Sequence, residues 1–179
     1  MGLIEIILIG IGLAMDAFAV ALGNAIAYPL TRKHRIGILA FFGGFQGLMP
    51  ILGYFACGFF SDFIQKYTGL VVFFILAVIG GNMLYSGLKG KEEKMEDRFT
   101  LKVLFIQAIA TSLDAFAVGI TLHAGNANII YSSVIIAVTT ALVCFGALLI
   151  GRKCNALLGK KAEVLGGVIL IAIGIKALF

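Results

Sequence analysis

The chain has 179 residues, of which 61% are hydrophobic and only 13% charged, and its mean hydropathy is +1.08. A soluble domain is nearer half apolar and a quarter charged, so this composition excludes an ordinary soluble core and points to an integral membrane protein in a lipid bilayer. The formal charge of +5 would suit a nucleic-acid partner, but the basic residues fall in short loops between apolar runs. Membrane topology accounts for them there, and no nucleic-acid partner is expected.

In chain order, six apolar segments are predicted to be transmembrane helices. Each has about the 20 residues that cross roughly 30 Å of hydrocarbon at about 1.5 Å per residue. Span 1 runs from Leu3 to Ala27 and stops at Tyr28-Pro29. No basic stretch precedes it, so it reads as a retained span rather than a signal peptide, and Ile6 breaks the myristoylation pattern. After the basic turn Thr31–Arg35, span 2 runs from Ile36 to Phe60 and contains Gln46 and Pro50. A turn from Ser61 to Lys66 leads to span 3, Tyr67–Leu88, which carries Asn82. Residues 89–99 interleave Lys89, Lys91, Lys94 and Arg98 with Glu92, Glu93, Glu96 and Asp97, the pattern of a solvated linker. Span 4 is Thr100–Leu122, span 5 is Ile129–Ile150, and span 6 is Ala162–Phe179 after the basic loop Gly151–Lys161. The organisation expected is a first three-helix unit (1–88), a charged cytoplasmic linker (89–99) and a second three-helix unit (100–179).

The chain repeats one phrase. Asp16-Ala17-Phe18-Ala19-Val20 returns as Asp114-Ala115-Phe116-Ala117-Val118, 98 residues later, and six of 14 positions are identical between Gly10–Gly23 and Ala108–Thr121. A charge inside a span costs about 3 kcal/mol even on lenient insertion scales, so it ordinarily marks function. Of the 14 basic residues, 12 lie in or beside loops 1–2, 3–4 and 5–6. The positive-inside rule therefore puts those loops in the cytoplasm and both termini outside. Each unit has an odd number of spans, so the two copies cross the bilayer in opposite directions. This is the inverted-topology repeat of secondary transporters, whose site lies near mid-depth where the halves meet. Span 1 is expected to lie against span 4, bringing Asp16 and Asp114 together.

Two ionised carboxylates in one cavity repel unless a cation or protons join them. A transported cation resolves the conflict, and protons resolve it when the cation leaves, which is the logic of cation–proton exchange. Gln107, Thr111, Asp114 and Val118 share a helix face. Thr111 is placed to donate to Asp114 or to offer an oxygen to an ion, while Gln46 and Asn82 are amides able to bridge helices or bind metal. The candidate metal ligands are thus Asp16, Asp114, Gln46, Thr111 and Asn82. Oxygen donors suit Mg, Ca or Mn better than Zn or Cu. Cys57, Cys144 and Cys154 are scattered, and His34 and His123 fall in loops, which argues against a thiolate or imidazole site. Gly43-x-x-x-Gly47 is expected to let span 2 approach a neighbour, and Pro50 to kink it.

Met15-Asp16-Ala17-Phe18-Ala19, Ala110-Thr111-Ser112-Leu113-Asp114-Ala115 and Gly159-Lys160-Lys161-Ala162-Glu163-Val164-Leu165-Gly166-Gly167 resemble the MntP manganese exporters. These are six-span proteins of the bacterial inner membrane, related to the LysE superfamily. The resemblance covers nearly the whole chain apart from the linker. It implies export of Mn²⁺ from the cytoplasm, with Mn²⁺ as substrate rather than resident cofactor, and it carries the family's intramembrane aspartates over to Asp16 and Asp114. Where some relatives have Glu in span 2, this chain has Gln46, which removes a charge from the site. The competing readings are an exporter of another divalent cation or small solute, an intramembrane aspartyl protease, and a non-transporting scaffold. The Tyr-Asp and Gly-x-Gly-Asp motifs of the proteases are missing, since Met15 precedes Asp16 and Leu113 precedes Asp114.

Overall fold

The computed structural model describes residues 2–56, 99–124 and 127–158, together with short helical stretches within 73–85 and 164–175. Besides those stretches the described residues form five helices: α1 (Leu3–Ala27), α2 (Arg32–Phe55), α3 (Leu101–Thr111), α4 (Leu113–Ala124) and α5 (Ile129–Leu158). No strand occurs among the described residues. With α3 and α4 taken as one interrupted crossing, four segments are long and apolar enough to span a membrane. The described residues are those of an all-helical membrane protein. The segments predicted as spans 3 and 6 and the 89–99 linker lie wholly or largely outside the described residues.

Local chemistry sets the helix ends. The Glu5 carboxylate accepts from the Gly2 amide at 2.9 Å and closes the start of α1. Pro29 forces Tyr28 into extended backbone (φ −118°, ψ 143°) and ends it. Thr31 caps α2 by accepting from the His34 amide at 3.3 Å. That cap draws Arg32–Arg35 into the helix, so α2 begins one turn before the apolar run from which it is predicted. α2 passes through Pro50 without ending, and α5 continues past Ile150 to Leu158.

The interrupted crossing departs from the sequence expectation of one continuous span 4. Thr111 donates its hydroxyl to the Gln107 and Ala108 carbonyls (3.0 and 3.3 Å), and Ser112 donates to those of Ala108 and Ile109 (2.7 and 3.1 Å). Two adjacent hydroxyls bonding back onto one turn compete with the main-chain ladder. Ser112 leaves the helical region at φ −111°, ψ 5°, and its own amide drops back to the Ile109 carbonyl.

Packing follows the glycines. α1 lies mainly along α5, while α2 lies along α5 and α4 and more lightly on α3. A Cβ on Gly47 would stand 2.9 Å from Ala137 Cβ, and one on Gly43 would stand 3.1 Å from the Ala137 carbonyl oxygen. The Gly-x-x-x-Gly face is thus the α2–α5 contact. Closer still is the α2–α4 crossing, where a Cβ on Gly119 would strike the Pro50 carbonyl and one on Gly53 the Phe116 carbonyl. Span 1 meets span 4, but not along its length. The two meet only at a crossing, because α5 takes the broad face of α1.

Two apolar clusters sit above and below that crossing. The larger gathers Ala17, Val20, Ala21, Ile38, Phe42, Leu104, Ala108, Cys144 and Leu148. The smaller gathers Ile6, Leu13, Ala115 and Ile136.

Candidate functional site

Between the two clusters lies a fully buried side chain that ties three helices together. The Gln46 Nε2 donates to the Leu13 carbonyl at 2.9 Å and to the Thr111 carbonyl at 3.0 Å. Both acceptors therefore lie within about 6 Å of one another, the sum of the two bonds. Leu13 and Thr111 are separated by 98 residues, the same offset as the two aspartates. One amide thus clamps corresponding points of the two repeats, each three residues before its aspartate.

The break at Ser112 makes the second half of the clamp available. In a continuous helix the Thr111 carbonyl would accept from the Ala115 amide. Here Ala115 donates instead to the Asp114 carboxylate at 2.8 Å, and Gln46 takes the carbonyl. Asp114 falls in the first turn of α4, where the unpaired amides of a helix N-terminus favour an anion. Asp16 follows Leu13 along α1. From Leu13 to Asn24 the partner in the α3–α4 crossing falls from Thr111 to Gln107, so the two run antiparallel and the chain reaches the two aspartates in opposite directions from Gln46. Both are half-buried.

Several polar atoms of α2 and α5 are buried and without a hydrogen-bond partner: Gln46 Oε1, Thr140 Oγ1, Ser133 Oγ and Ser132 Oγ. Buried polar atoms are ordinarily satisfied, so a set of them calls for water or a ligand. Thr140 lies on α5 between the row facing Gly10 of α1 (Ile136, Thr139) and the row facing Gly43 and Gly47 of α2 (Ala137, Ala141). Being fully buried, it turns toward the interior between those helices. Among the described residues no three His, Cys, Asp or Glu side chains cluster.

On the side of the larger cluster, Asn24 and Gln107 form a reciprocal amide pair. Asn24 Nδ2 donates to Gln107 Oε1 at 2.8 Å, and Gln107 Nε2 donates to Asn24 Oδ1 at 3.1 Å; both residues are fully buried. Beyond them, where α1 ends and α3 begins, Phe99 packs on Tyr28 and His34, each with ring centroids 5.4 Å away.

Of the five ligands expected from sequence, Gln46 meets the main chain of Thr111 at the crossing, and Asp16 and Asp114 each follow three residues after one of its two acceptors. The Thr111 hydroxyl is spent on its own helix and its carbonyl on Gln46. Asn82 lies outside the described residues. Sequence reasoning missed Asn24 and Thr140. Asn24 carried a signal, an amide two turns beyond Asp16 in an apolar run, but it stands near the span end, where polar residues ordinarily reach water. Thr140 carried none, because hydroxyls in apolar helices ordinarily bond back to their own backbone.

Fold and centre together define an all-helical membrane protein in which one buried amide joins two repeated segments, each three residues before an aspartate. Residues 28–178 match a family profile described as "Mntp: Putative manganese efflux pump". The chain is 41% identical over 179 residues to the "Putative manganese efflux pump MntP" of Ruminiclostridium cellulolyticum, covering 98% of this chain and 95% of that protein. It is 42% identical over 176 residues to the "Putative manganese efflux pump MntP 1" of Wolinella succinogenes (98% and 97% covered), and 42% identical over 180 residues to the MntP of Sorangium cellulosum (97% and 94% covered). The chain belongs to the MntP family. No solved structure matches it.

Proposed function

We propose that the protein exports Mn²⁺ from the cytoplasm through a single site shared by two inverted repeats, residues 1–88 and 100–179, joined by a cytoplasmic linker at 89–99. The carrying observation is the Gln46 clamp, whose one nitrogen holds the repeat-related carbonyls of Leu13 and Thr111. Helix packing supports the same symmetry. Exchanging the halves turns the α1–α5 contact into the contact of α2 with the interrupted crossing, and leaves α2–α5 unchanged. Those are the three broad contacts among the described helices.

In this reading Asp16 and Asp114 supply the charge that a divalent ion neutralises, and Gln46 Oε1 and Thr140 Oγ1 supply neutral oxygens. Asn82 of span 3 remains a candidate ligand. The hard, oxygen-only donor set suits Mn²⁺ better than a thiophilic metal. Once the ion departs, the carboxylates repel across a low-dielectric crossing, and protons entering in its place restore neutrality. Broken helices near mid-depth are a recurring device of transporters, because freed backbone and a helix N-terminus are exposed where the ion binds. The six spans lie in the bacterial inner membrane, with the basic loops inside and both termini outside. The Asn24–Gln107 pair and the Phe99 cluster then stand between the aspartates and the cytoplasm, and must part for the ion to enter.

The test is manganese flux into inside-out vesicles with and without an imposed pH gradient. Wild type should accumulate Mn²⁺, while Asp16→Asn and Asp114→Asn, inserted at normal levels, should not. Wild-type vesicles that accumulate no Mn²⁺, or accumulation by either variant at the wild-type rate, would defeat the proposal.

A further inference from the structure

A second feature lies away from the crossing, at the membrane boundary where α2 begins. A groove of about 210 Å³ runs between α2 and α5, too large for a lone ion, with Arg32 and Arg35 at one end and Ile36, Leu39, Phe145, Leu148 and Leu149 along its walls. We propose that this groove holds one anionic phospholipid, its phosphate on the two arginines and an acyl chain on the apolar walls.

The charge at this end of α2 is one-sided. Arg32, Lys33 and Arg35 all fall in or next to the first helical turn, and no acidic residue accompanies them there. The N-terminus of a helix already carries partial positive charge from its unpaired amides, so these cations stand where an anion is favoured. Arg35 is half-buried, and its Nε is enclosed without a hydrogen-bond partner. A guanidinium presents its donors as a planar fork that matches phosphate oxygens, and a phosphate would satisfy that nitrogen. Arg152 and Lys153 lie exposed about one turn beyond Leu149 and add to the same field.

The walls identify the rest of the ligand. Ile36 is 66% exposed, Phe145 51% and Leu149 49%, an apolar rim open to hydrocarbon. Dissolved phosphate would use the arginines and leave these walls bare. A phospholipid uses both, and basic pockets between membrane helices are recognised settings for anionic headgroups. Topology alone would require basic residues in this loop, but neither a groove beneath them nor an arginine nitrogen turned inward. The inference does not depend on which ion is transported; with the orientation proposed above, the lipid comes from the inner leaflet.

The test is native mass spectrometry of the full chain in mild detergent, titrated with phosphatidylglycerol or with phosphatidylcholine of the same acyl chains. The first phosphatidylglycerol should bind at least about fivefold more tightly, the scale of one basic residue near an anionic surface. Arg32→Gln/Arg35→Gln should erase that preference, while Arg152→Gln/Lys153→Gln should keep most of it. Leu149→Trp, which fills the groove and keeps every charge, should weaken binding of both lipids. Equal affinity for the two lipids would overturn the proposal. So would an unchanged preference in the Arg32/Arg35 variant, an equal loss in the Arg152/Lys153 variant, or displacement of the lipid by millimolar glycerol phosphate.

Discussion

Replacing Gln46 by Leu keeps roughly the same volume and removes both arms of the clamp. The two arms are unequal. The Leu13 carbonyl belongs to an unbroken helix and keeps its ladder partner, so losing the 2.9 Å bond should cost about 0.6 kcal/mol, the average for polar contacts between membrane helices. The Thr111 carbonyl has given up its ladder amide to Asp114, so losing the 3.0 Å bond leaves a buried acceptor unsatisfied, at about 1–3 kcal/mol. Oε1 leaves with the amide but, satisfied by water or the ion in this polar site, returns little, so the net loss is about 1.5–3.5 kcal/mol. Equilibrium unfolding in mixed micelles reads that quantity, and manganese flux in vesicles reads the accompanying loss of a neutral ligand. Gln46→Glu separates the roles. It places a carboxylate against two carbonyls and near two aspartates, so the ion-free protein should be less stable than wild type and Mn²⁺ should restore more of its stability. A Gln46→Leu protein within about 0.5 kcal/mol of wild type, well below the cost of one unsatisfied buried carbonyl, and with unaltered flux would refute the clamp.

Gly119→Ala should destabilise the protein by about 1–3 kcal/mol, because the new methyl meets the Pro50 carbonyl and neither backbone can yield; Gly44→Ala, which meets nothing, is the control in the same melting experiment. Thr140→Val keeps the shape but removes the hydroxyl, and should raise the KM for Mn²⁺ several-fold, with Thr140→Ser restoring it; equal KM in all three proteins would remove Thr140 from the site. In a variant retaining only Cys154, an impermeant maleimide should label inside-out vesicles and spare intact cells, and labelling of intact cells would reverse the proposed direction of transport.

The membrane class and the four described crossings were legible because long apolar runs leave few alternatives. Leu3–Ala27 matches its helix from end to end, since Pro29 stops it in any context. The start of α2 was not legible, because hydropathy says nothing of the Thr31 cap that carries the helix back over three cations. Nor was the break at Ser112: Thr-Ser in an apolar run reads as continuous helix until the hydroxyls are seen bonded to the Gln107, Ala108 and Ile109 carbonyls. The repeat singled out Asp16 and Asp114, and an amide alone in span 2 singled out Gln46. What Gln46 holds depends on a crossing between residues 33 and 65 positions away along the chain, which no local pattern encodes. The Asn24–Gln107 pair was hidden for the same reason, with 83 residues between its partners.

The central claim is that the aspartates of the two halves serve one ion. Its most direct test is the Mn²⁺ electron paramagnetic resonance signal, titrated against purified wild type, Asp16→Asn, Asp114→Asn and the double variant. A shared site predicts one strongly bound Mn²⁺ per chain in wild type, most of the affinity lost in either single variant, and little further loss in the double. Two separable binding events, each abolished by one substitution and untouched by the other, or strictly additive losses, would contradict it.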